Sequence, residues 1–177
     1  LVFTTLHTND APSAIMRLME LGIPPYLINA TVLGVLAQRL VRSFCKECVK
    51  ESPMTPERLD ELVAVYQAAL PADHPERNRD ALVNRWKQQL GRSGKLYEYK
   101  PVGCDKCGQT GYRGRVAIHE LLSTSPEVRR KVQSRGRPDE IQALAMMEGL
   151  RTLRQDGIEK VIQGKTSLAE VRSGANA

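Results

Sequence analysis

The sequence is poor in aromatic side chains, in cysteine and in long apolar runs. Only 5% of its 177 residues are Phe, Trp or Tyr, with a single Trp. That leaves little from which to build a series of base-stacking platforms for single-stranded nucleic acid. No apolar stretch approaches the roughly 20 residues that span a bilayer, and no basic leader with an apolar core is present. A cytoplasmic location is the expectation. A phosphate cradle is missing as well, since a P-loop needs Gly, four residues, then Gly-Lys-Ser/Thr between a strand and a helix. Gly91-Arg92-Ser93-Gly94-Lys95-Leu96 has two intervening residues and no hydroxyl after the lysine. Gly164-Lys165-Thr166 has the right tail, but Glu159 stands where the first glycine belongs. Both read as caps and turns. Instead of an initiator methionine the chain opens on Leu1-Val2-Phe3, which reads as the inside of a buried strand, so a fragment of a larger protein is expected.

What the chain does have is a modest positive charge and a particular placing of its few cysteines. Lys and Arg outnumber Asp and Glu 26 to 20, for a net charge of +6, which permits an anionic partner such as phosphate, nucleic acid or an anionic lipid surface. All four cysteines fall in two knuckles, Cys45-Lys46-Glu47-Cys48 and Cys104-Asp105-Lys106-Cys107. Two residues between thiolates let one tight turn aim both sulfurs at a single ion, and two such turns complete a tetrahedral S4 shell suited to Zn²⁺. A redox dithiol, metal-free thiols or a disulfide pair are the alternatives. A redox motif would be used once within a thioredoxin-like unit, and disulfides suit an oxidising compartment. The expectation is one structural zinc per chain held by Cys45, Cys48, Cys104 and Cys107. A closed S4 site leaves no position for a reactive water, so chemistry has to be sought elsewhere.

Around the knuckles the pattern is mixed α/β. Leu1 to Leu6 suits a short interior strand, followed by a polar string and a helix with Asn9 or Asp10 as N-cap, Pro12 in its first turn and Gly22 as its stop. After Pro24-Pro25, the apolar residues Leu27, Ile28, Val32, Val35, Leu36 and Leu40 predict one helix running to the first knuckle. Residues 49–100 read as an autonomous arm of two amphipathic helices. One opens at Thr55-Pro56-Glu57 with Leu59, Leu62, Val63, Tyr66 and Leu70 on a face; the other opens at Pro75-Glu76 with Leu82, Val83, Trp86 and Leu90. After the second knuckle comes a glycine-rich turn, residues 108–115, then a strand from Val116 to Leu122. Helices follow from Ser125-Pro126-Glu127 and near Asp139, with Gly149 and Gly164 as punctuation, and Ser167-x-x-Glu170 is a capping box for a last short helix. The frayed end is expected at residues 174–177.

Four of these stretches, in this order, resemble the C-terminal part of the ATPases that drive type II secretion and type IV pilus assembly. They are Thr4-Thr5-Leu6-His7-Thr8-Asn9, similar to that family's histidine box; Leu36-Ala37-Gln38-Arg39-Leu40-Val41-Arg42; the paired C-x-x-C knuckles; and Thr110-Gly111-Tyr112-Arg113-Gly114-Arg115 leading to Glu120. The resemblance covers residues 1–48 and 101–172, and residues 49–100 depart from it as a longer insert.

The resemblance implies an α/β fold: the C-terminal portion of a RecA-like core (1–44), a tetracysteine zinc-binding subdomain with a helical arm (45–107), and a glycine turn, strand and C-terminal helical bundle (108–177). It implies a homo-hexameric motor that hydrolyses ATP with Mg²⁺ and works on inner-membrane secretion or pilus platform proteins, attached to the membrane periphery. The P-loop and Walker B acid would precede Leu1, and the fragment alone would be inactive. By the same resemblance His7 would sense the γ-phosphate or orient the attacking water, with Thr5 and Thr8 beside it; a capping or packing histidine is the alternative. Arg39 and Arg42 would contact phosphate or a neighbouring subunit, or lie solvated at a helix end. A zinc-ribbon module that binds nucleic acid, or one that only docks partners, is the rival class. The cluster Arg129, Arg130, Lys131, Arg135 and Arg137 favours nucleic acid by charge but lacks interleaved aromatics.

Overall fold

The computed structural model describes residues 1–175. Among these, eight α-helices and four strands form a mixed α/β chain that divides into two compact units. One comprises Leu1–Ala37 with His119–Thr152; the other comprises Gln38–Ile118 and the chain from Leu153 onward. Both units are assembled from non-consecutive segments, a different division from the three consecutive segments expected.

In the first unit, α1 (Ala11–Glu20) starts at an Asp10 cap whose side chain accepts the Ser13 N–H at 2.7 Å. Next come the short α2 (Pro25–Thr31) and, further on, α5 (Pro126–Gln133) and α6 (Pro138–Met147). The Ser125 hydroxyl caps α5 by accepting the Val128 N–H at 3.1 Å. Helix α6 packs on α1 and α5, and α2 on α5, which buries Ile15, Ile28, Val128, Val132, Ile141 and Met146 completely or nearly so.

The expected helix from Leu27 to Leu40 is corrected. It ends at Thr31, and β1 (Gly34–Phe44) takes over. Along β1, Val35, Ala37, Arg39 and Val41 turn inward while Leu36, Gln38, Leu40 and Arg42 are exposed. Of the apolar residues that mimic a helical stripe, Val35, Leu36 and Leu40 therefore belong to the two faces of a strand with a period of two, while Leu27 and Ile28 lie in α2. The fold decides for strand because β4 (Tyr112–Ser123) satisfies the β1 backbone. Thr124 N–H donates to the Leu33 carbonyl at one end and Cys45 N–H to the Gly111 carbonyl at the other, so the pair is antiparallel. The strand expected from Val116 to Leu122 is thus longer at both ends. The strand expected at Leu1–Leu6 is also corrected: the segment forms no strand among the described residues, and Leu1, Val2 and Phe3 are almost fully exposed. A strand needs a neighbour for its backbone donors and acceptors.

The second unit holds β2 (Lys50–Pro53), α3 (Pro56–Gln67), α4 (Arg79–Gln89), β3 (Tyr97–Lys100), α7 (Leu153–Ile162) and α8 (Leu168–Ala175). Strands β2 and β3 pair antiparallel from Lys50↔Lys100 to Pro53↔Tyr97. Helix α4 begins one step later than expected: Pro75–Arg77 form a single 3₁₀ turn, and Asn78, in extended backbone, caps α4 by accepting the Ala81 N–H at 3.0 Å. Nor is the arm autonomous. Helix α3 packs against α7 as well as α4, and Tyr66 and Trp86 meet edge to face at 5.3 Å with almost no exposed surface.

Candidate metal centre

The two knuckles sit where the β1–β4 ladder ends. Cys45 follows β1 directly, and its N–H donates to the Gly111 carbonyl at 2.9 Å, just before β4 begins. Within the first knuckle, the Val49 N–H returns to the Cys45 carbonyl at 3.0 Å; within the second, the Gln109 N–H returns to the Cys104 carbonyl at 3.0 Å. These turns hold the four Sγ atoms within 4.8 Å of one another. Cys45–Cys104 and Cys48–Cys107 lie 3.9 Å apart and Cys104–Cys107 3.7 Å. A tetrahedron with Zn–S bonds of about 2.3 Å has edges of about 3.8 Å. The donor set, count and spacing therefore fit a metal ion held by thiolates alone.

Two backbone N–H groups, of Cys104 at 3.3 Å and Gly111 at 3.2 Å, donate to Cys107 Sγ. Burial pushes the Cys107 thiol up, but these donors and the neighbouring sulfurs more than offset it and bring it down to about 6. Burial, helped by the hydrogen bond to Cys107, pushes Cys104 up to about 11. The two backbone donors thus favour the thiolate of Cys107, the form in which cysteine binds metal. Gly111 is the joint of the site. Its φ is +77°, and a Cβ there would lie 2.4 Å from Pro101 Cβ, so the close approach of the two segments requires glycine.

The remaining candidates are scattered. Thr5 and His7 are exposed in the segment before α1, and Thr8 is half-buried with its hydroxyl donating to the Asp10 carbonyl at 3.2 Å. Arg39 is half-buried on β1 and its Nη1 lies 3.4 Å from the Gln38 carbonyl. Arg42 is engaged inside the chain. Its Nη2 and Nε reach Glu170 Oε1 at 2.6 and 3.0 Å, its backbone N–H donates to Glu170 Oε2 at 3.0 Å, and its guanidinium lies 4.5 Å from the Tyr112 ring centre. Hydrogen bonding to Arg42 in turn holds the Glu170 carboxyl below its ordinary range, against the opposing effect of burial. In the basic cluster, Arg130 pairs with Glu127, Lys131 with Glu140 and Arg137 with Asp139. Those cations are partly neutralised by carboxylates of α5 and α6, and no described helix is long and apolar enough to cross a membrane.

Comparison with known proteins gives this arrangement its context. The model of the family described as "Type II/IV secretion system protein" matches residues 1–173. The chain belongs to this family. It is 42% identical over 174 residues to the type IV pilus assembly ATPase PilB of Thermus thermophilus, covering 97% of this chain and 16% of that protein. It is 39% identical over 171 residues to the type IV pilus assembly ATPase TfpB of Acinetobacter baylyi, covering 97% of this chain and 25% of that protein. With the type II secretion system protein E of Pectobacterium carotovorum it shares 36% identity over 173 residues, 97% of this chain and 28% of that protein. The chain thus spans between about a sixth and under a third of these relatives' lengths.

Three residues of this secretion-family chain escaped the sequence reading. Glu170 was legible only as half of a capping box; the Glu170 N–H does donate to Ser167 Oγ at 3.3 Å, but the carboxylate turns to Arg42. Gly111 was visible as a turn glycine without its contacts to both knuckles. Glu120 was seen near a strand end, but a carboxylate only 2% exposed has no signature in sequence.

Proposed function

We propose that this chain is the C-terminal portion of a hexameric ATPase that couples ATP hydrolysis to type II protein secretion or type IV pilus assembly, at the cytoplasmic face of the inner membrane. The observation that carries the reading is the match over 97% of the chain to relatives named as pilus assembly ATPases. The nucleotide cradle is assigned to the part of the protein that the relatives have beyond this segment, as the closing portion of a RecA-like core. The chain alone then hydrolyses no ATP. His7, flanked by Thr5 and Thr8, is the group that reaches the terminal phosphate: an exposed imidazole can orient a water or hold a proton there. Arg39 is the cation proposed for phosphate or a neighbouring subunit, whereas Arg42 spends its guanidinium on Glu170 and Tyr112.

Cys45, Cys48, Cys104 and Cys107 are proposed to hold one structural zinc. The ion supplies folding free energy, on the order of 10 kcal/mol for such sites, and no reactive water. The residues themselves tie the ends of β1 and β4 together and close the insert between them into one lobe. Elemental mass spectrometry of the chain purified without added metal, with thermal unfolding in a strong chelator, tests this. One zinc per chain and a melt lost on chelation are expected; no bound metal and an unchanged melt would refute it. The wider reading is tested by Mg²⁺-dependent ATP hydrolysis in the full-length protein. Activity that survives His7→Ala undiminished would remove His7 from the site.

A further inference from the structure

We infer that Glu120 is a positioning residue for the segment that carries His7; this rests on the ATPase reading above. Glu120 lies on β4, in the same unit as the His7 segment and α1. Its side chain is buried, and Oε1 accepts the N–H of Ala11, the first residue of α1, at 2.9 Å. A carboxylate is costly to bury unless it is hydrogen-bonded, and the start of a helix, with its free N–H groups and positive dipole end, offsets that cost.

The consequence lies in what else is fixed at that point. Asp10 Oδ1 accepts the Ser13 N–H at 2.7 Å, and Thr8 Oγ1 donates to the Asp10 carbonyl at 3.2 Å. The chain from Thr8 to Ala11 is therefore tethered in succession: hydroxyl to backbone, carboxylate cap to helix, and helix start to strand. His7 is the next residue out. Ala11 is fully buried and Leu122, two residues beyond Glu120 on the same face of β4, is too, so the strand is a rigid reference. Glu120 transfers that reference to the backbone from which the imidazole projects. Misplacing a reacting group by about 1 Å is enough to cost on the order of a hundredfold in rate.

The test uses the full-length protein as wild type, Glu120→Gln, Glu120→Ala and His7→Ala, each measured for kcat, KM for ATP and Tm. Gln keeps an oxygen acceptor at the same reach, and Ala removes it. Glu120→Ala is expected to lower kcat by on the order of tenfold or more with KM changed by less than about twofold, and Glu120→Gln to restore most of the loss. Hydrogen exchange at the first turn of α1 should quicken in Glu120→Ala and not in Glu120→Gln. The inference is overturned if Glu120→Ala keeps wild-type kcat, if Gln and Ala are equally impaired, or if the kcat losses follow Tm alone. Hydrolysis insensitive to His7→Ala overturns it too. A wild-type protein that hydrolyses no ATP would overturn the ATPase reading itself, a result distinct from hydrolysis that is merely indifferent to Glu120.

Discussion

Gly108 and Gly111 offer a controlled experiment on the cysteine lobe. Both have positive φ, +61° and +77°, and both follow the second knuckle. A Cβ at Gly108 would meet nothing within 4 Å; one at Gly111 would fall 2.4 Å from Pro101 Cβ and 3.0 Å from its Cα. Each alanine substitution costs about 1–2 kcal/mol for the left-handed backbone. Gly111→Ala adds an overpacking cost of about 1–3 kcal/mol, because a proline ring cannot swing aside. At about 2–4 °C per kcal/mol for a chain of this size, Gly111→Ala should melt about 2–12 °C below Gly108→Ala. The two must be compared at the same excess of zinc, since a ligand that binds only the folded state raises Tm. A second readout separates packing from metal holding. The Gly111 N–H donates to Cys107 Sγ and its carbonyl accepts from Cys45 N–H, so Gly111→Ala should also weaken zinc retention in a chelator competition while Gly108→Ala does not. Equal melting of the two variants would refute the close-contact reasoning. A lower Tm with undiminished zinc retention would leave the contact and refute the glycine as the joint of the site.

Glu170 should give stability a pH dependence. Its folded carboxyl titrates below the ordinary value of 4.5 because of the Arg42 hydrogen bonds, so its contribution is complete above about pH 4.5 and is lost as pH falls through the lower folded value. Glu170→Gln should therefore unfold at lower urea than wild type at pH 7, and the difference should shrink on acidification; a constant difference would rule this out. Trp86→Ala, at a site with no exposed surface and Tyr66 edge-on to it, should cost about 3–5 kcal/mol in chemical unfolding, and a cost under about 1 kcal/mol would contradict the packing of the insert.

Much of this was legible because it is local. Asp10, Thr55 and Ser125 announce helix starts, and each accepts the expected N–H in the structure. The cysteine spacing likewise encodes a turn geometry that long-range folding only has to bring together. What was not legible depends on partners distant in sequence. Leu36 and Leu40 fit a helical period, yet pairing with β4 makes them the exposed face of a strand. Leu1 to Leu6 has strand composition but, among the described residues, no strand beside it. Strands β2 and β3 carry Lys50, Glu51, Glu98 and Lys100 and so show no hydrophobic alternation; only Tyr97 and Tyr99, two apart, hint at a shared face.

The insert is where sequence and structure differ most in meaning. An autonomous arm would share only solvent with the C-terminal helices, but this one shares buried charge with them. Arg85 of α4 lies 2.9 Å from Glu159 of α7 and 3.0 Å from the Tyr66 hydroxyl of α3, and also pairs with Glu76; Gln155 of α7 donates to the Tyr66 carbonyl at 3.2 Å. The side chains of Arg85, Glu76 and Glu159 are each less than a fifth exposed. Removing one member of such a set leaves the others desolvated and unpaired, which costs more than the pairs gained on forming. The Tyr99 ring of β3 also occupies the space a side chain at Gly164, just after α7, would need. The insert therefore reports on the position of α7 through both its helices and its small sheet, and β2 begins two residues after Cys48. A displacement of α7 cannot leave the cysteine lobe where it was unless this charged contact or the β2–β3 sheet gives way first.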